Sequence, residues 1–244
     1  RFHIGFLMDW KSPKAVKTTL ERGGNPANLP SSPRCIIPRS RSNYLARDTR
    51  DNLTDDEKRF EKQNQGKTVL FNIQALKTAE TVFVAEGEID VMSIYETGGE
   101  GIGLCSTANV NAFLNLLKDH YNGQVFILML DNDESGRKAQ KELADGLDRL
   151  EIPFIEAGYS EHDPNDLLKA DKEQLTSLIS SLQVKARDLK QEAKGNQYNA
   201  GELLNYFRTI EKQPAGFEAK TGFEGLDRPD RNLYGGLHEG LYII

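Results

Sequence analysis

No run in the 244 residues approaches the roughly twenty consecutive apolar positions a membrane helix needs, and no signal-peptide pattern is visible. The expectation is a cytoplasmic protein that does not engage a membrane. Cysteine is scarce: Cys35 and Cys105 lie far apart in apolar runs, and no Cys-x-x-Cys occurs. Buried free thiols in a reducing compartment fit this better than a disulfide. The four histidines are scattered, so no structural zinc site is expected within the chain. Nor does a Gly-x-x-x-x-Gly-Lys-Ser/Thr phosphate loop occur anywhere, which excludes ATP binding through such a loop and, with it, strand unwinding.

What is present suffices for a packed core. Hydrophobic content of 38% and charged content of 28% suit a globular protein, and the length predicts two compact units with linkers. The net charge of −6 hides an asymmetry: residues 1–70 carry fourteen Lys and Arg against eight Asp and Glu, the remainder seventeen against twenty-nine. A basic part joined to an acidic part suits a protein that holds a polyanion with one and metal ions with the other, although ordinary solvated charge reads the same way. The chain opens on Arg1 and closes on an apolar strand pattern, whose unpaired edge is unusual at a native terminus. The expectation is a piece of a longer protein.

Ser12-Pro13-Lys14, with Gly23-Gly24 beyond it, predicts a short helix. Arg34 to Asp48 alternates polar and apolar residues as a half-exposed strand pair does; Asp55 to Gln65 is charged and irregular or helical; Thr68 to Asn72 is another short strand. From Thr81, strands at 81–85, 101–105, 124–130 and 153–157 alternate with helices at 88–96, 109–119, 135–150, 164–169 and 171–182. Strands without polar alternation are buried on both faces, and alternating β and α elements with short links predict a parallel sheet covered by helices. The organisation expected is a small basic α+β subdomain over 1–75, an α/β domain over 76–183, and a linker over 184–220 with an amphipathic helix around Leu203, Leu204, Tyr206 and Phe207. A further unit begins over 221–244.

Two of these strands end in acid. One runs into Glu86-Gly87-Glu88-Ile89-Asp90, the other into Asp131-Asn132-Asp133-Glu134-Ser135-Gly136. Parallel strands bring their carboxyl ends to one edge, where ligands bind, so Glu86, Asp131 and Asp133 fall in one crevice. Clustered carboxylates repel one another and call for a hard cation such as Mg²⁺. A spacing of four sets Asp90 on the side of Glu86 as the helix begins; a helix start also attracts acids for its dipole alone. Asp131 and Asp133 point the same way in an extended chain, one acid more than a cap requires. Asp163-Pro164-Asn165-Asp166 returns to the same edge. Asp163 is either a further ligand, with Asp166 behind it, or simply a helix cap followed by proline.

E-G-x-x-D, D-x-D-x-x-G and D-P-N-D, in this order after successive strands, resemble the Toprim domain of DnaG-type bacterial primases, phage primase–helicases, topoisomerases and some nucleases; the resemblance covers residues 80–183. It implies a Toprim (Rossmann-like) parallel sheet, Mg²⁺ on Asp131 and Asp133 with Mn²⁺ able to substitute, and Glu86 beside the reacting group as a ligand or a general base. Asp90 and Asp163 match further acidic positions of primases. Leu104–Asn109 departs from the Gly-rich version in cellular primases and is closer to the phage and mobile-element kind.

Residues 34–75 are similar to the basic subdomain that precedes Toprim in primases, through Pro38-Arg-Ser-Arg-Ser-Asn-Tyr-Leu-Ala-Arg-Asp48, K-R-F-E-K-Q and G-K-x-x-L-F-N. The likeness implies that Arg39, Arg41, Arg47, Lys58, Arg59, Lys62 and Lys67 hold template and nucleotide phosphates, work that suits bidentate Arg and point-charge Lys. Tyr44 and Phe60 between them either stack on a base or face the core. Residues 221–244, with T-G-F-x-x-L-D and G-G-L-x-x-G-L-Y-I-I, resemble the truncated opening of a RecA-like ring helicase. Together these likenesses imply the DNA primase core of a primase–helicase, from a phage, mobile element or bacterium. It would make RNA primers on single-stranded DNA from ribonucleoside triphosphates during replication, with its helicase in cis and the fragment itself monomeric. The alternatives are a Toprim nuclease that turns the same acids on a phosphodiester, and a non-catalytic module that binds DNA or a helicase.

Overall fold

A computed structural model describes residues 2–67 and 70–195, and those up to Gln191 belong to one compact unit. The helix expected around Leu203, the RecA-like opening, and Thr68 and Val69 of the strand expected at 68–72 lie outside the described residues.

The first half of the unit is an antiparallel sheet of β1 (Gly5–Trp10), β2 (Ser32–Pro38), β3 (Tyr44–Asp48) and β4 (Lys62–Gln65), in that spatial order. α1 (Pro13–Glu21) joins β1 to β2, and α2 (Asp55–Lys58), with a Thr54–Glu57 capping box, lies between β3 and β4. The expected strand pair is β2–β3. The outer two strands were not legible. β1 has no alternation and exposes five of its six residues, and β4 is Lys-Gln-Asn-Gln, with no β-branched or aromatic residue. Pairing with β3, not propensity, makes β4 a strand.

After α3 (Ala75–Thr78) come β5 (Thr81–Ala85), α4 (Glu88–Glu96), β6 (Gly101–Gly103), α5 (Val110–His120), β7 (Val125–Leu128), α6 (Glu134–Arg149), β8 (Phe154–Glu156), α7 (Pro164–Ala170) and α8 (Lys172–Gly195). The four strands are parallel in the order β6-β5-β7-β8. Val82, Val84, Phe126 and Leu128 share a core with Phe113 and Leu117 of α5 and Leu143 and Leu147 of α6. The intervening Phe83, Ala85, Val125 and Ile127 share the other with Val91 and Ile94 of α4, Ile179 of α8, and Ile37 and Leu45 of the antiparallel sheet. Both sides are interior, which is why these strands carry no polar alternation. Each buried Phe contributes about 1.5–3 kcal/mol, so this double core dominates the stability of the unit. The antiparallel sheet is held against the parallel one through the second core.

α8 continues to Gly195, past the end expected at 182 and into the expected linker. Leu175, Ile179, Leu182 and Ala186 keep helical spacing and stay buried, so the apolar stripe carries the helix onward. Among the described residues no helix is long and apolar enough to cross a membrane.

Candidate active site

β5 and β7 are neighbours, with β6 outside one and β8 outside the other. The chain connections diverge at this seam, the place where open α/β sheets bind ligands. Glu86 leaves β5 on one side of it and Asp131 follows β7 on the other.

Gly87 caps α4, and the Asp90 carboxylate folds back to accept its N–H at 3.0 Å. A Cβ on Gly87 would stand 2.7 Å from that carboxylate, so a larger residue there would push the Asp90 carboxylate from its present position. Gly136, in the first turn of α6, is tighter still: a Cβ would lie 2.0 Å from the Asp131 carbonyl oxygen. That contact accounts for the glycine of D-x-D-x-x-G.

The acids divide into two kinds. Asp133 and Asp163 cap helices. Asp133 accepts from Gly136 N–H at 2.7 Å and the Ser135 hydroxyl at 2.9 Å, and these bonds hold its carboxyl below the usual range. Asp163 accepts from Asp166 N–H at 2.6 Å at the head of α7. Glu86, Asp90 and Asp131 lie deeper. Burial, then the fields of Asp133 and Asp90, raise Glu86. Burial, then neighbouring acids, push Asp90 and Asp131 up to about 6. Glu86 Oε2 and Asp131 Oδ1 are buried without a hydrogen-bond partner. Such orphaned oxygens are costly, and a divalent cation between them would satisfy both, so the residues present fit a metal.

Facing the acids across a cleft of about 230 Å³ are Arg39, Arg47, Lys62 and Asn64. Leu45 pairs with Asn64 and Arg47 with Lys62 in the antiparallel register, so these side chains share the face turned to the acids. Of the basic residues expected to hold phosphate, Arg47 and Lys62 line this cleft, with Arg47 bonded to Glu61 at 3.2 Å. Arg39 lines it too, but its side chain is buried in an ion pair with Glu88. Arg41 and Lys67 are exposed near the β2–β3 turn and the end of β4. Lys58 and Arg59 pair with Asp55 and Asp56 on α2, outside the cleft. Tyr44 is half-buried. Phe60 is exposed and lines a separate groove with Trp10.

Sequence reasoning missed four residues here. Asn64, Asn165 and Lys169 line the cleft, and His162 lies between Asp133 and Asp163. The field of those acids and Asp131 outweighs partial burial and raises its imidazole. Asn64 was available from the period-two spacing with Lys62 once β4 is a strand.

Residues 83–168 match a family described as Toprim-like. The chain carries a Toprim-like domain. The crystal structure of the Aquifex aeolicus primase, zinc-binding and RNA polymerase domains, superposes with a TM-score of 0.52 at 19% identity, over 87% of this chain and 63% of that one. The fold is shared with that primase, and the chain spans less than two thirds of its length. The primase fragment of the bacteriophage T7 primase–helicase protein gives 0.44 at 17% identity, over 71% of this chain and 78% of that one. A complex of bacteriophage T7 lagging-strand DNA polymerase with primase domains bound to an RNA/DNA hybrid and dTTP gives 0.44 at 16%, over 71% and 91%. No curated protein sequence matches the chain. The Toprim-like domain thus contains every acid of the cleft, while Arg39, Arg47, Lys62 and Asn64 come from the antiparallel sheet before it.

Proposed function

We propose that the chain is the core of a DNA primase, joining ribonucleotides on a single-stranded DNA template by divalent-metal-dependent nucleotidyl transfer. The observation that carries this reading is the two-walled cleft: Glu86, Asp90, Asp131 and Asp163 on one side, Arg47 and Lys62 on the other. One wall suits cations and the other suits phosphates, and an incoming nucleoside triphosphate brings both. The shared fold with the Aquifex aeolicus primase supports it.

In this reading residues 1–75 hold template and nucleotide, 76–183 hold the metals, and a helicase follows in the same protein, acting in the cytoplasm. Arg47 and Lys62 grip the triphosphate and the template backbone and align the α-phosphate with the primer 3′-hydroxyl. Glu86, Asp131, Asp133, Asp90 and Asp163 would hold Mg²⁺. When bound there, the ion would offset the charge of the departing pyrophosphate and lower the pKa of the attacking hydroxyl. Glu86, its carboxyl raised by burial and neighbouring acids, would serve either as a further metal ligand or as the general base that takes the hydroxyl proton. The Asp133 and Asp163 caps keep these acids in place before substrate arrives, so little reorganisation remains for the reaction.

The test is single-stranded template with labelled ribonucleotides and Mg²⁺ or Mn²⁺, for the wild type and Asp131→Asn. Template-dependent oligoribonucleotides that vanish in the variant are expected. Shortened template without synthesis would replace this reading with a nuclease.

A further inference from the structure

His162 stands between two helix caps. Asp133 uses Oδ1 on the first turn of α6, and Asp163 uses Oδ1 on the first turn of α7. The oxygen each leaves over faces the imidazole: Asp133 Oδ2 is 3.7 Å from Nε2, and Asp163 Oδ2 is 3.5 Å from Nδ1. Both gaps exceed the roughly 2.7–3.2 Å of a closed hydrogen bond, so these groups approach without locking together. Asp131 adds a third donor, its Oδ1 buried and without a partner. One ligand atom from each of Asp131, His162 and Asp163 can lie within 4.8 Å of the others.

We infer that His162 is a direct ligand of a divalent cation held by Asp131 and Asp163, and that its nitrogen biases this position toward Mn²⁺ over Mg²⁺. Two carboxylates and a neutral imidazole balance the charge of one divalent ion. The set converges from the end of β7 and the head of α7, so the backbone fixes two of its three members. Mg²⁺ takes oxygen ligands and holds its waters tightly; Mn²⁺ accepts the same carboxylates and tolerates imidazole. His162 is exposed, which leaves its ring free to turn toward the ion. The inference rests on the metal-dependent reading of the cleft, but not on primer synthesis.

The experiment is pulsed electron paramagnetic resonance on the full chain loaded with Mn²⁺, which detects nitrogen bound to the ion. A histidine nitrogen coupling is expected in the wild type, with the isotope change following when the histidines carry ¹⁵N. It should disappear in His162→Gln, whose Mn²⁺ affinity should fall roughly tenfold while Mg²⁺ affinity changes less than about threefold. Mn²⁺ bound without a histidine nitrogen, or a coupling that survives in His162→Gln, would overturn the assignment. If the coupling is present but no template-directed product forms, the metal ligand stands and the primase reading fails.

Discussion

The guanidinium of Arg39 and the carboxylate of Glu88 form an ion pair in which both side chains are nearly enclosed, at 3% and 6% exposure. It ties the turn after β2 to the first turn of α4, two residues from both Glu86 and Asp90. Removing one partner strands the other charge in the interior, so Arg39→Ala or Glu88→Ala should cost about 3–5 kcal/mol in urea unfolding. Replacing both by Met should recover most of that loss. Single-variant losses below about 1 kcal/mol would mean that the two walls of the cleft are not joined here.

Asp131 should weaken the fold that houses it. Its partly buried carboxylate faces Glu86 and Asp163. Asp131→Asn removes that repulsion and should stabilise the metal-free protein by about 1–2 kcal/mol after allowance for solvent screening. The same change should abolish the rise in Tm on adding Mg²⁺. Melting curves in EDTA and in Mg²⁺ read both effects; an unchanged Mg²⁺ response would remove Asp131 from the metal site.

The pH dependence should reverse with metal. Asp90 and Asp131 titrate near about 6, so the folded chain holds those protons more tightly than the unfolded one. Stability of the metal-free protein therefore falls as pH rises from about 4 through 6. Asp48 acts oppositely: bonds from Arg50, at 3.0 Å, and the field of Arg34 hold it at about 2, so its contribution is lost as pH falls from about 4 toward 2. Tm in EDTA should peak at about pH 4, and Mg²⁺ should move the optimum upward. A Tm in EDTA that climbs steadily from pH 5 to 8 would contradict the shifted acids.

Template binding should separate the two kinds of basic residue. Lys62→Ala should weaken single-stranded DNA binding and reduce the salt slope by about 1, because one phosphate contact is lost. Arg59→Ala, on α2 outside the cleft, should leave both nearly unchanged. Equal effects would spread the footprint beyond the cleft.

β5 and α4 run over the expected 81–85 and 88–96, because an uninterrupted apolar run ending in Glu-Gly is specific to a buried strand feeding a helix. β4 escaped because its polar residues become a strand only beside β3. Arg39 shows a different limit. The likeness to primases implies phosphate for it, but which acid it meets depends on how the sheets pack, and no local pattern encodes Glu88. His162 escaped for the same reason: its partners arrive from two separate loops.

Asp133 and Asp163 hold up helices beside the cleft, and Asn or Ser serves almost as well as Asp at a helix cap. A lineage that no longer needed the chemistry could lose both charges with its architecture intact. Glu86 and Asp131 have no such second duty in the backbone. Acids surviving at all four positions would be the mark of a descendant still under selection for catalysis; neutral caps beneath an unchanged sheet would mark one kept only as a scaffold.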